Sequence, residues 1–306
     1  MSFRPQVDAA LAARLVEAQF PQWSGLPLTL VEPGGSDHMI FRLGDGLAVR
    51  LPRHSDAIEQ AAKELEWLPR LAPHLPLAVP EPVAVGEPGF GYPWPWAVSR
   101  WLEGEVATVE GLGDSVEAAV ELAGFLRALQ AVEPAPFPQA TAAVEPAAQG
   151  TEDGDQHADG GLLAVRDGAT RAAIAQVAGV FDAAAMTAVW DAALAAPGWA
   201  GPPVWFHGDF HTGNLLTTGG ALSAVIDFGG LGVGDPACDL MVAYTLMTPR
   251  ARSAFREALE VDEATWLRGR GWALATGLNA YVAYAAVDAR VAAQTTRQIT
   301  QALAPD

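Results

Sequence analysis

The spacing of apolar positions divides the chain into two stretches of different character. Between residues 28 and 53, short runs ("LTLVE", "MIFRLG", "LAVRL") alternate apolar and polar positions, which is the period of half-buried strands. "GDG" at 44–46 joins the last two as a hairpin turn, and "PGGSDH" at 33–38 joins the first two. Residues 56–72, "DAIEQAAKELEWLPRLA", change to a helical period with Asp56 as the expected N-cap. The stretch before them, "MSFRPQVDAALAARLVEAQF", reads as an amphipathic helix with Asp8 near its start. A proline-rich connection, "PHLPLAVPEPVAVGEP", leads to "PWPWAVSRWLEG", a buried strand ending in a turn. The first part of the chain is therefore expected to be a small antiparallel sheet with one helix.

Beyond it the pattern is mainly helical. Residues 115–132 form one helix, and helices return over 167–195. Residues 134–161 are rich in Pro and Ala and then acidic, and read as a mobile loop. "PVWF" and "LSAVI" are short strands on either side of a polar stretch, "HGDFHTGNLL" at 207–216. From about 250 onward the pattern is helical, with an interruption expected near Gly271. The fold class is α+β: a β-rich lobe over residues 1–103 and a mainly helical lobe over 104–306.

Composition narrows the function. The chain has 306 residues, half of them apolar, and no run of about 18 apolar residues that would span a membrane. The formal charge of −18 argues against nucleic acid as a partner and suits a cationic small molecule. A single cysteine, Cys238, leaves no internal disulfide and fits a reducing cytoplasm. The N-terminus lacks the basic start and apolar block of a signal peptide.

The chemistry concentrates in two segments. His207, Asp209 and Asn214 have the spacing H-x-D-x-x-x-x-N, and Asp227 of "VIDFGG" follows thirteen positions later. Phosphoryl transfer requires such a set. One carboxylate orients the attacking hydroxyl and takes its proton, while a second carboxylate and an amide oxygen hold Mg²⁺ against a triphosphate. A zinc hydrolase is the competing reading, because His207, Asp209 and His211 alternate. It leaves Asn214 and "IDFGG" unexplained. "GGLGVGD" at 229–235 resembles a dinucleotide loop only superficially, and a flexible connection suits it better.

With "HGDFHTGNLL" and "VIDFGGLGVGDPACDL", the chain resembles the aminoglycoside phosphotransferase family over most of its length. The resemblance implies a bilobal protein-kinase-like fold, ATP or GTP with Mg²⁺, and transfer of the γ-phosphoryl to a hydroxyl of a small molecule, an aminoglycoside-type antibiotic first of all. It implies Asp209 as catalytic base and Asn214 and Asp227 as Mg²⁺ ligands. His207 would hold the catalytic loop, Asp239 would brace it, and Asp235 would cap the following helix. Macrolide kinases share this plan, and "VRLPR" is similar to them, but they are expected to carry histidine where this chain has Asn214.

The same resemblance assigns the first lobe to the nucleotide. Gly35 and Ser36 of "PGGSDH" would approach the phosphates. Arg50 on the third strand stands where protein kinases place a lysine, with Glu64 as its helical partner, Glu59 and Glu66 as alternatives, and Arg53 as a rival cation. The Ser99 carbonyl and the Trp101 amide would read the purine edge. Substrate contacts are expected from Asp153 and Asp155 of the acidic run and from Asp262, Glu263 and Trp266 at the start of a late helix. The expected protein is a monomer or homodimer without nucleic-acid or membrane partners.

Overall fold

The computed structural model describes Pro5, residues 7–32, 37–134 and 163–305. The chain forms two compact units. One holds the described residues up to 104 together with 224–229, and the other holds the remainder. The division thus assigns the segment around Asp227 to the first unit, whereas the sequence pattern left it with the helical part.

The first unit contains helix α1 (Ala9–Gln19), strands β1 (Leu28–Leu30), β2 (His38–Leu43) and β3 (Leu47–Pro52), helix α2 (Asp56–Leu71), and strands β4 (Pro82–Gly86) and β5 (Trp96–Arg100). The strands form one antiparallel sheet in the order β1-β2-β3-β5-β4. Phe41 lies opposite Val49 and Ile40 opposite Arg50. Because side chains alternate along a strand, Val49 and Leu51 share one face and Arg50 takes the other. The first face is apolar: Val49 and Leu51 cluster with Phe41, Trp96, Val98 and the α1 residues Ala12, Leu15 and Val16. The amino-terminal helix expected from its amphipathic pattern is therefore part of this core. Its N-cap is Asp8, which accepts the Leu11 N–H at 2.8 Å.

Helix α2 starts differently from expectation. Asp56 is its first residue and not its cap. Ser55 flanks the helix, makes no side-chain cap, and donates instead to the Asp56 carboxylate at 3.0 Å. The buried stripe of α2 runs through Ala57, Glu64, Leu68 and Leu71, near-helical spacing that places one carboxylate on an otherwise apolar face.

The second unit begins with β6 (Glu105–Val106), α3 (Val109–Leu112) and α4 (Val116–Ala131), then α5 (Asp167–Val177), α6 (Ala183–Ala195) and β7 (Val204–Phe206). A single turn over Thr212–Asn214 leads into β8 (Leu215–Thr218), and β9 (Ala221–Val225) follows, its last two residues counted with the first unit. Gly219 and Gly220 between them both have positive φ, as a tight two-residue turn requires. Strand β10 (Gly232–Gly234) pairs antiparallel with β7. The expected flexible glycine segment is thus a strand. A side chain at position 232 would run into the Phe206 ring, so glycine here permits close pairing. A turn over Pro236–Met241 then precedes α7 (Val242–Thr245), α8 (Pro249–Leu259), α9 (Glu263–Tyr284) and α10 (Ala289–Leu303).

Helix α9 crosses position 271 without a break, contrary to the expected interruption. Its glycines serve packing. A Cβ on Gly269 would come within 2.5 Å of the Leu240 Cβ, and one on Gly271 would overlap Ala193 and lie 3.0 Å from Leu163 Cδ2. Glycine lowers helix propensity by about 1 kcal/mol, a loss that close contact with α6 and the 236–241 turn offsets. Gly271→Ala is therefore expected to destabilise the protein by about 1–3 kcal/mol through overpacking, and to lower the midpoint of thermal unfolding. Calorimetry decides the sign, since helix propensity alone predicts a rise.

Candidate active site

In the first unit the expected cation and carboxylate meet. Glu64 Oε2 accepts from Arg50 Nη1 at 2.5 Å and Oε1 accepts from Nη2 at 3.3 Å. The alternatives lie elsewhere: Glu66 faces Arg70 on the exposed side of α2, and Glu59 takes no part in this contact. Glu64 has a further partner that the sequence pattern did not reveal. Its Oε1 accepts the backbone N–H of Phe228 at 3.0 Å, which ties α2 to the residue immediately after Asp227. Burial pushes the Glu64 carboxyl above its ordinary range, against the pull of Arg50, while the Asp227 charge adds to the upward shift. Burial also works against the Arg50 charge, but Glu64 and Asp227 outweigh it and hold the guanidinium charged. Asp227 itself has φ of +64°. A non-glycine residue in this region is strained, and such strain gathers at functional positions.

Gly35 and Ser36 lie outside the described residues, as do Asp153 and Asp155. The residue after the glycine turn is described. Asp37 accepts the Arg53 N–H through its carbonyl at 2.8 Å, and its carboxylate lies 2.9 Å from His54 Nε2. Arg53, the rival cation, thus begins a segment fastened to the end of that turn. Ser99 lies in β5 opposite Ala48 and Pro82, with its side chain buried. The Trp101 amide is a correction: it donates to the Gly46 carbonyl at 2.9 Å and is spent on the sheet. Its indole ring carries the Arg42 guanidinium at 4.9 Å.

In the second unit, "HGDFHTGN" forms a loop between β7 and β8 that is held from below by Asp239. The Asp239 carboxylate, fully buried, accepts the His207 N–H at 2.7 Å and the Gly208 N–H at 2.8 Å. His207 is itself buried, and its Nδ1 accepts the Asp209 N–H at 3.2 Å. Three consecutive amides of the loop thus have fixed acceptors. Phe210 packs into the core, stacked on Phe125 of α4 with centroids 5.7 Å apart and planes 3° from parallel. The loop therefore alternates inward and outward groups, and Asp209 remains part-exposed between two buried rings. Asn214 turns back on it: Nδ2 donates to the Asp209 carbonyl at 2.9 Å and to Oδ2 at 3.1 Å.

Asp235 caps the next turn through the Ala237 N–H at 3.0 Å. It also grips Arg268 of α9 with both oxygens, at 2.7 and 3.1 Å. This part-buried bidentate pair spans 33 positions, and no local pattern announces it. Cys238 is buried, and burial holds its thiol well above its ordinary value, so it is inert. The alternating trio His207, Asp209 and His211 does not converge as zinc ligands: among the described residues no three His, Cys, Asp or Glu side chains form a metal-holding group.

The late-helix residues have structural partners. Asp262 is the N-cap of α9 and accepts the Thr265 N–H at 2.6 Å, which holds its carboxyl below the usual range. Glu263 pairs with Arg256. Trp266 is 1% exposed, under Arg256 and against Tyr244. A ring so enclosed belongs to the core, which corrects its expected place in a substrate pocket.

The chain is similar to known proteins in sequence and in fold. A family model described as the phosphotransferase enzyme family matches residues 28–274. No curated protein sequence matches the chain. Among solved structures, the GDP and kanamycin complex of APH(2")-IIia is similar at a TM-score of 0.70 and 17% identity, covering 95% of this chain and 98% of that one. The streptomycin–ATP–APH(2")-IIa ternary complex matches at 0.58 and 15%, covering 97% of each chain. The apoenzyme of macrolide 2'-phosphotransferase MphH from Brachybacterium faecium matches at 0.55 with 27% identity, again over 97% of each.

Burial raises the Asp239 carboxyl to about 7, opposed by the two backbone N–H donors. A folded value above the unfolded one means that this group stabilises most below its unfolded pKa, and that the contribution is lost as pH rises through about 7. Asp239→Asn removes the titration and leaves one loop N–H without an acceptor, at a cost of about 1–3 kcal/mol. Denaturant unfolding at pH 5, 6.5 and 8 is expected to show the variant's deficit narrowing as pH rises. A deficit that is constant or widens contradicts the assignment.

Proposed function

The chain belongs to the phosphotransferase enzyme family, and from this premise we propose that it moves the γ-phosphoryl of a nucleoside triphosphate onto a hydroxyl of a small molecule, with Asp209 as the base. The observation that carries this reading is the Asp209–Asn214 pair on a loop whose preceding amides are fixed by Asp239 and His207. Phosphoryl transfer asks little covalent chemistry of the protein and much positioning, and this loop is built for positioning. Asp209 orients the acceptor hydroxyl and takes its proton as the phosphoryl arrives.

Asn214 commits its amide nitrogen to Asp209, which leaves its carbonyl oxygen as a donor to a hard cation. Asp227 offers a carboxylate. Oxygen donors of this kind suit Mg²⁺, so these two residues would hold it. Bound there, Mg²⁺ supplies charge neutralisation on the triphosphate. Arg50, kept charged by Glu64 and Asp227, contacts the phosphates, with Gly35 and Ser36 beside them. The Ser99 carbonyl, the other backbone group expected there, reads the purine edge. ATP or GTP serves as donor.

The favoured acceptor is an aminoglycoside, a polycation suited to a chain of net charge −18. Kanamycin and streptomycin occupy two of the similar structures. A macrolide is the second reading, supported by the 27% identity to a macrolide 2'-phosphotransferase. Asp262 and Glu263, engaged as cap and ion pair, contribute negative potential and not direct contacts.

Asp209→Asn is expected to bind nucleotide as the native chain does and to lose about two or more orders of magnitude in turnover. Near-native turnover in this variant contradicts the role of Asp209. A mass-spectrometric panel of aminoglycosides, macrolides and simple alcohols, run with Mg–ATP and Mg–GTP, is expected to show a one-phosphoryl mass gain on aminoglycosides. Gain on macrolides alone selects the second reading.

A further inference from the structure

His211 takes no part in the mechanism so far, yet it stands beside the base. Its Nδ1 accepts the Gly213 N–H at 3.0 Å. A ring nitrogen that accepts carries no proton, so in the neutral imidazole the proton is on Nε2. Nε2 lies 3.4 Å from Asp209 Oδ2, the same oxygen that Asn214 Nδ2 reaches at 3.1 Å. The turn over Thr212–Asn214 makes this possible: the Asn214 N–H donates to the His211 carbonyl at 3.0 Å, which folds residues 211 and 214 back toward one carboxylate.

Gly213 is part of the arrangement. A Cβ at this position would come 2.6 Å from the His211 Cε1 and 3.1 Å from Nδ1. Any other residue there displaces the imidazole. Core packing does not account for the ring, because 35% of the His211 side chain and 26% of the Asp209 side chain are exposed. A ring kept at the surface, with its tautomer set by a backbone amide and its proton turned to a carboxylate, is an orienting device.

We propose that His211 is a positioning residue for the base: locked as the Nε2–H tautomer by the Gly213 amide, it donates to Asp209 Oδ2 and, with Asn214, fixes the carboxylate for the acceptor hydroxyl. The inference rests on the reading of Asp209 as the base. Two side-chain donors converge on one oxygen, so the carboxylate turns less freely about its own axis. Misplacing a reacting group by about 1 Å costs on the order of a hundredfold in rate, and loss of one of the two donors is expected to cost about ten- to a hundredfold.

The test separates the donor from the cap. Gln at position 211 keeps an N–H near the place of Nε2, while Asn keeps only an acceptor near the place of Nδ1. With the acceptor that the panel identifies, His211→Asn is expected to lower kcat about ten- to a hundredfold, with nucleotide KM and thermal stability unchanged. His211→Gln is expected to return kcat to within about threefold of native. Native kcat in the Asn variant, or equal losses in both with lowered stability, overturns the proposal. Histidine ¹⁵N–¹H NMR of the full chain gives a readout independent of turnover: the Nε2–H tautomer, with the His211 Nε2 signal moving in Asp209→Asn. An Nδ1–H tautomer, or no response to Asp209→Asn, refutes the contact. Undiminished turnover in Asp209→Asn refutes the reading of the base instead, and the tautomer result keeps the two failures apart.

Discussion

Two backbone N–H groups, those of His207 and Gly208, end on one buried carboxylate, Asp239. The rest of the 207–214 loop depends on this contact. It holds the loop by its main chain and not by the side chains that follow. His207 extends the effect by one residue through its ring nitrogen, and Phe210 pins the far side by stacking on Phe125. The carboxylate suffers for this service. Burial lifts its titration to about 7, because two N–H dipoles replace only part of the water that an ionised aspartate would have.

The first unit uses the same device. Glu64 is a second buried carboxylate, shared between a cation on β3 and the backbone amide after Asp227. One side chain thus sets the place of Arg50 and of the segment that carries Asp227. Removal of either buried carboxylate would strand donors in a low-dielectric interior, which costs more than the bond itself contributes. In each unit a buried carboxylate fixes the position of groups that the proposed reaction uses.

Much of this was legible along the chain. The H-x-D-x-x-x-x-N spacing marks the loop because residues within one turn must share a local geometry, and the structure brings Asp209 and Asn214 into contact. The period-two alternation of "LAVRL" places Arg50 opposite the apolar face, and the pairing with Glu64 follows from the inward stripe of α2. What stayed hidden depends on tertiary packing. "GLGVG" reads as a flexible connection and Gly271 as a break, yet Gly232 lies in a paired strand and Gly269 and Gly271 in an unbroken helix, each where a neighbouring side chain comes too close for a Cβ. Trp266 sits among acidic residues and reads as a binding residue, but the helix turns it into the core. The Trp101 amide reads as exposed beyond a strand end, and the Gly46 carbonyl in the turn before β3 claims it. The Arg268–Asp235 grip joins residues whose proximity only the folded chain creates.

Amide hydrogen exchange on the full chain tests the central claim most directly, because it reads the two bonds to Asp239 without reference to any acceptor or nucleotide. The amides of His207 and Gly208 are expected to exchange as slowly as those of the buried helices α4 and α9, although they belong to a loop. Protection no greater than that of the exposed turn at Gly219 and Gly220 contradicts the account.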